Sequence, residues 1–515
     1  MKNYKHATAL LESRRRVYSE RWRIGESSHV AQLGNGSSEK KYRGRPSLEP
    51  MGEWMRQLGY ADTALNMIHV AGTKGKGSTC MFTESLLRAH GKRVGFPMKT
   101  GLFTSPPLIT TRERIRIDSQ PISEELFTTR FFEVWDRLWS YSQRKAGLED
   151  MPRYRQLLML LSVHVFAKAD VDVAIYETYC GGEYDCTNVI RPVVTGITTL
   201  SLDHVRMLGP TIREVAWHKS GIFKQKVPAF SSPQEPAAAA VLQSRALEKT
   251  APFEFVAENP ALPVDAPALK SPVQRANASL ALALANSYLR TTTKDRHKLD
   301  THDIIRGIKH FSWPGRFHQI TQGEHEWYLD IAHNELSLRA ATEWFVDAVQ
   351  NKSPPCPTHI LIFRHIGDRD RAAMLKSIAD TLREGKVQMQ HVIFTASRQM
   401  RDASTSIGTV NLPSSLWYSA KSPVDFDDRN DHVSREIQKD YARIWRLIDP
   451  LAQISLADSV EDALMMARNI GEEGNGMQTF VTGAVNLIGC ALPLLESDAA
   501  PGDLEDRAGN LDESQ

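Results

Sequence analysis

Apolar positions along the chain recur with two different periods, and the switches between them mark its elements. Near the start Ala7, Leu10, Leu11 and Val17 are spaced for one helical face, so residues 4–22 are expected as a helix. A polar Gly/Ser-containing loop from Gly25 to Pro50 follows, then a helix over Met51–Leu58 leading into a short apolar strand that begins at Met67. The pattern breaks into glycines and restarts as a helix, Thr79–His90, with Gly91 expected as its C-terminal cap and Arg93–Met98 as the next strand. Between Lys99 and Asp118, Gly101 and the prolines Pro106 and Pro107 argue for a shaped loop without regular structure. Ser123–Tyr141 places Leu126, Phe127, Phe131, Val134 and Leu138 on one face, while Tyr154–Phe166 is apolar almost throughout; both read as core helices. Val171–Tyr176 and Val193–Leu200 read as buried strands, Ser231–Pro272 turns to Ala, Pro and Glu and reads as a variable excursion, and a helix resumes near Gln274.

Pro314-Gly315 cannot continue a helix, and beyond it the alternation of strand and helix begins again. Trp327–Asp330, Thr358–Phe363, His391–Ala396 and Thr479–Thr482 are the clearest strands. The chain therefore reads as two α/β units, residues 1–313 and 314–495, with an acidic tail over 496–515 too poor in apolar groups to fold.

Composition narrows the partners. At 515 residues, 41% hydrophobic and 24% charged, the chain suits a soluble protein of two or three domains. Its 63 basic and 61 acidic residues nearly cancel, which removes any general argument for a nucleic acid or an acidic membrane surface as partner. The longest apolar run, Leu157–Phe166, is too short to span a bilayer. Five scattered cysteines (80, 180, 186, 356, 490) with no C-x-x-C spacing point to a reducing compartment rather than a disulfide framework or a zinc site. The N-terminus lacks an apolar secretory core, and Glu12 and Glu20 flank the Arg14–Arg16 cluster that would suit a mitochondrial presequence. A cytoplasmic monomer is expected, with the mitochondrion as the other location.

The chemistry concentrates in Met67-Ile-His-Val-Ala-Gly-Thr-Lys-Gly-Lys-Gly-Ser-Thr-Cys80. Gly72, Gly75 and Gly77 allow the main chain to approach a ligand closely, Lys76 supplies a mobile positive charge, and Ser78 and Thr79 open a helix whose positive end favours an anion. A hydroxyl there also suits Mg²⁺. The alternative is a glycine-rich turn with no ligand, yet three glycines and two lysines gain nothing from packing. A standard P-loop would place a glycine at Val70 and a hydroxyl directly after the lysine, where Gly77 stands. Glu177, at the exit of the strand ending in Tyr176, lies where open α/β sheets bind ligands and would serve as a second metal-binding group, or simply cap the following turn.

Gly-Thr-x-Gly-Lys-Gly-Ser resembles the loop of the Mur ligase superfamily, and His69–Thr79 resembles its folylpolyglutamate synthase branch almost letter for letter. The resemblance continues in Gly101-Leu-Phe-Thr-Ser-Pro-Pro-Leu, in Glu177 with Gly181, Gly182, Asp185, Thr187 and Asn188, in Asp203-His204, in Lys219-Ser-Gly-Ile, and in Asp330-Ile-Ala-His333-Asn334. It implies an α/β architecture: a Mur-ligase-type P-loop ATPase domain with a parallel-rich sheet, and a smaller Rossmann-like domain that closes over the cleft. It further implies a nucleotide site of Gly72, Thr73, Lys74, Gly75, Lys76, Gly77, Ser78, Thr79, Asn277, Arg316 and Asp330. Metal ligands would be Ser78, Ser105, Glu177 and His204, and the substrate loop Thr104, Ser105, Pro106 and Pro107. Lys76, Lys219 and His333 are the implied catalytic residues, with Lys219 at a position that is carbamylated in many relatives. ATP, Mg²⁺ and a monovalent cation are the implied cofactors.

Three readings follow. One is glutamate addition to the γ-carboxyl of reduced folates through an acyl phosphate. A second is a paralogous ligase joining another carboxylic acid and amine, suggested by Pro107 in place of a family histidine, by Thr178-Tyr179-Cys180 and by Ile331. The third is a nucleotide-binding scaffold without chemistry, against which the full set of metal and phosphate residues counts.

Overall fold

The computed structural model describes residues 2–15, 48–60, 65–144, 151–295, 297–350, 357–366, 369–398 and 428–497. The described residues form two compact units, one of residues 2–107 and 111–311 and the other of residues 108–110, 312–398 and 428–497. Each carries its own sheet.

In the first unit α1 (Tyr4–Ser13) and α2 (Glu49–Leu58) precede β1 (Met67–Ala71) and α3 (Lys76–Val94). Next come β2 (Thr100–Phe103), β3 (Ile115–Ile117), β4 (Gln120–Pro121), α4 (Glu124–Gln143), α5 (Tyr154–Lys168), β5 (Val173–Glu177) and β6 (Val194–Ile197). The unit is completed by α6 (Val205–Leu208), α7 (Ile212–Lys219), β7 (Ala229–Ser231), α8 (Pro236–Glu248), β8 (Phe253–Phe255), α9 (Pro272–Thr292) and α10 (Thr301–Lys309). The strands order as β4-β3-β2-β5-β1-β6-β7-β8. β1 lies between β5 and β6, parallel to both, and every residue of β1 and β5 is buried, as a parallel strand covered on two faces must be. Alternation along β5 sends Ala174 and Tyr176 into a core built by α1, α2, α4 and α5. α5 sits deep in that core and is apolar all round, which is why its pattern shows no polar face.

Several elements differ from the sequence reading. α3 runs to Val94, so Gly91 lies inside the helix and Gly95, at φ 83°, is the cap. Gly91 is required for another reason: a Cβ there would sit 1.8 Å from the Pro97 carbonyl oxygen. The strand expected at Arg93–Met98 is absent, and β2 occupies part of the expected loop. Gly101 is compatible with that strand because the ring of Phe166 packs where its Cβ would be, 2.8 Å from the nearest ring atom. The excursion expected over Ser231–Pro272 contains α8 and β8, which extend the parallel sheet by one crossover. α2 starts at Glu49 with Pro50 in its first turn, so Pro50 belongs to the helix and not to the loop. Val17, Cys356 and most of the acidic tail lie outside the described residues, while Glu496 and Ser497 end a helix.

The second unit holds β9 (His318–Gln322), β10 (His325–Asp330), α11 (Glu335–Val349), β11 (Thr358–Phe363), α12 (Arg371–Glu384) and β12 (His391–Arg398). α13 (Asp428–Ile448), β13 (Gln453–Ser459), α14 (Val460–Glu473), β14 (Met477–Thr482) and α15 (Val485–Ser497) follow. The order is β13-β12-β11-β14-β10-β9, parallel except for the β9 edge. β9 and β13 had no clear sequence signal: both are edge strands whose residues are largely half-buried or exposed.

Candidate active site

The site of the first unit is built where β1, β5 and β6 end side by side. β1 gives way at Gly72, whose φ of 149° and lack of a Cβ allow Thr198 to close in; a Cβ would fall 1.8 Å from Thr198 Oγ1. The loop is then stitched to the exit of β6. Thr73 N and Lys74 N donate to Thr199 O at 3.0 and 3.2 Å, Thr73 Oγ1 donates to Ser201 O at 3.0 Å, and Thr198 Oγ1 donates to Lys74 O. The backbone amides of Thr73 and Lys74, two residues of the expected nucleotide site, are thus spent on fixing the loop. Gly75, at φ 84°, caps the N-terminus of α3, and the first turn of that helix carries Lys76, Gly77, Ser78 and Thr79 with the last three buried.

Lys76 Nζ lies 3.9 Å from Glu177 Oε1 and 3.4 Å from Thr73 O. Glu177, the last residue of β5, is 4% exposed, and its Oε2 accepts from Ser105 N at 2.9 Å. One carboxylate therefore ties the phosphate loop to the segment Thr104–Pro107, of which Thr104 is buried and Pro106 exposed. Lys219, buried at the end of α7, donates from Nζ to Gly72 O at 2.6 Å. Burial, reinforced by the charge of Lys76, pushes its pKa down to about 7. Asn277 on α9 is buried behind the loop: its Oδ1 accepts from Thr79 Oγ1 at 3.5 Å, its Nδ2 donates to Gln274 Oε1, and a Cβ on Gly75 would meet its Oδ1 at 2.2 Å. His204, exposed and at φ 51°, precedes the single turn of α6, and beside it Asp203 pairs with Lys74 at 3.3 Å. Sequence reasoning gave Thr198, Thr199 and Asp203 no part in shaping the loop. Only the β1–β6 register brings them there.

The remaining expected residues belong to the second unit. Asp330 ends β10, and its carboxylate accepts from Phe317 N at 2.9 Å and Ala332 N at 2.8 Å. Burial raises its pKa to about 6 despite those bonds. Arg316 stacks its guanidinium over Trp313 at 4.6 Å. His333 Nδ1 is 3.0 Å from Ile331 O, a carbonyl that can only accept, which fixes the proton on that nitrogen.

No protein-family model matches the chain. It is 38% identical over 465 residues to the folylpolyglutamate synthase of Neurospora crassa, an alignment covering 87% of this chain and 85% of the relative. The chain belongs to the folylpolyglutamate synthase family. It is also similar to human mitochondrial folylpolyglutamate synthase, at 40% identity over 371 residues, 65% of this chain and 62% of that one. Among solved structures, Mycobacterium tuberculosis folylpolyglutamate synthase complexed with ADP superposes with a TM-score of 0.68 at 21% identity, covering 96% of this chain and 99% of that one. That likeness shows the fold, and both sheets of the present chain are part of it.

Proposed function

We propose that the protein is an ATP-dependent ligase that adds L-glutamate to the γ-carboxyl of reduced folates. The observation that carries this reading is the meeting of Lys76, Glu177 and Lys219 around the Gly72 turn in a chain of this family. ATP would lie on the α3 N-terminus, where Lys76 faces the phosphates and Gly77, Ser78 and Thr79 line the first turn. The γ-carboxyl of the acid takes the terminal phosphoryl group, and the amine of glutamate then displaces phosphate to give the amide, ADP and inorganic phosphate. Lys76 supports the transfer by countering charge that develops on the phosphoryl oxygens.

Oxygen donors suited to a hard cation are present in the Glu177 carboxylate and the Ser78 hydroxyl, and Ser105 adjoins them through the hydrogen bond its backbone N–H donates to Glu177. Glu177, Ser78, Ser105 and His204 would hold Mg²⁺, which when bound neutralises triphosphate charge. A pKa of about 7 leaves Lys219 Nζ partly unprotonated near neutrality, which favours its addition to CO₂ to form a carbamate and release a proton. Asn277, Arg316, Asp330 and His333 keep the nucleotide and catalytic roles that the family resemblance implies.

No described helix is long and apolar enough to cross a membrane. A cytoplasmic monomer is our reading, with the mitochondrial relative pointing to the other location; fractionation and light scattering test the two points. The deciding measurement is elongation of tetrahydrofolate with glutamate by the purified protein, followed by mass spectrometry. Successive glutamate additions are expected. Absence of product, together with ATP-dependent amide formation on another acid, would replace this reading with the paralogous ligase that Pro107 and Tyr179 suggest.

A further inference from the structure

Close to Glu177 in the chain fold lies a group of donors that have no acceptor among the described residues. Arg114 closes the single 3₁₀ turn Thr111–Arg114, and its guanidinium lies 5.6 Å from the centre of the Tyr179 ring. Arg155, on α5, approaches the same ring at 5.4 Å, and Phe103 from β2 meets it edge-on at 5.6 Å. Arg114 Nε, Arg114 Nη1 and the Tyr179 hydroxyl are all shielded from solvent and have no hydrogen-bond partner among the described residues. The nearby carboxylates are otherwise engaged. Asp185 accepts from Cys180 N, Thr187 N and Thr187 Oγ1, and Glu113 pairs with Arg116 at 3.9 Å. Neither Arg114 nor Arg155 has an ion-pair partner among the described residues. Shielded guanidinium and hydroxyl donors with no acceptor among the described residues are costly to the folded chain, and an incoming carboxylate would remove that cost.

The placement relates this group to the reaction. Tyr179 is two residues beyond Glu177, whose carboxylate faces Lys76 and holds Ser105 N. Resting on the ligase reading above, the acid that enters every round, the first included, ends in a glutamyl residue with two carboxyl groups. The γ-carboxyl is consumed and the α-carboxylate stays anionic. We propose that Arg114 and the Tyr179 hydroxyl, with Arg155 at the open side, bind the α-carboxylate of the acid substrate and so present its γ-carboxyl for activation. Arg114 and Tyr179 are then specificity-determining residues for acids that carry a carboxylate beside the one ligated.

The test compares two acids in the full-length protein with saturating ATP and glutamate: a monoglutamyl folate, and the same compound with its α-carboxylate converted to the amide. Wild type is expected to show a KM about 10- to 100-fold higher for the α-amide, the range for losing a charge-assisted hydrogen bond. Arg114→Met is expected to raise the KM of the α-carboxylate substrate to that of the amide and leave the amide and ATP values within about threefold, because only one ligand group has lost its partner. Tyr179→Phe keeps the ring and deletes the hydroxyl, and it should narrow the ratio in the same direction if Arg114→Met does not fold. A ratio unchanged in both variants, or a KM raised equally for both acids, overturns the proposal. Ligation of neither acid by wild type would sink the ligase reading and this inference together.

Discussion

Lys76 is the residue whose role is least entangled with folding. It is partly exposed, sits in the first turn of α3 and is held by a loop carbonyl and Glu177 rather than by core packing, so Lys76→Ala should leave secondary structure and unfolding cooperativity unchanged. Losing a charge that faces phosphate should lower ATP-dependent ligation by about 10²-fold or more, read as product formed with acid and glutamate both present. Lys219 is different, because its pKa of about 7 lies below the ordinary lysine value of 10.5. Below pH 7 the folded and unfolded states both carry the proton, and the cost of burying the charge is fully present. As pH rises from about 7 to 10.5 the folded state releases the proton first, so the unfolded state binds more protons and stability rises. The urea midpoint of wild type should therefore climb across that window, and Lys219→Met should flatten the climb. The letters of the loop were legible because they carry chemistry in a row. That Lys219 donates to Gly72 O was not, because the two are 147 residues apart.

At the level of elements, the clearest misreading was the end of α3. Gly91 resembles a cap by position, yet the helix continues through it and stops at Gly95, whose surroundings are open. The two glycines should therefore respond differently to alanine. Gly95→Ala incurs mainly the left-handed backbone strain, about 1–2 kcal/mol, whereas Gly91→Ala drives a methyl group into the Pro97 carbonyl and should cost about 3 kcal/mol or more. Thermal unfolding of the two variants checks the order, and equal losses would contradict it. The same element-scale logic explains the stretch from Ser231 to Pro272. α8 is rich in alanine, a strong helix former, but β7 and β8 are three residues each, too short for a period of two to register.

For the whole molecule, the consequence of the ligase reading is a condition on turnover. ATP consumption by the full-length chain should rise only when a carboxylic acid and an amine are both supplied, which a nucleotide-binding scaffold would not require. Turnover with ATP alone at the same rate would remove the coupling. The two sheets that carry these groups were legible as strand–helix alternation, since β1, β5 and β14 are buried throughout and β10 and β11 over their last four residues.

The sequence by itself determined the order of the central strands' apolar runs, the phosphate loop and the family, because each depends on residues adjacent in the chain. Tertiary structure decided the rest. Short and edge strands, among them β3, β4, β7, β8, β9 and β13, exist through pairing with neighbours rather than through their own pattern. The roles of Thr198, Thr199 and Asp203 in shaping the loop, the depressed pKa of Lys219 and the donors of Arg114 and Tyr179 that have no acceptor among the described residues arise only once distant segments share a low-dielectric interior. There, burial and the hydrogen-bond partners that burial brings or withholds set the energetics.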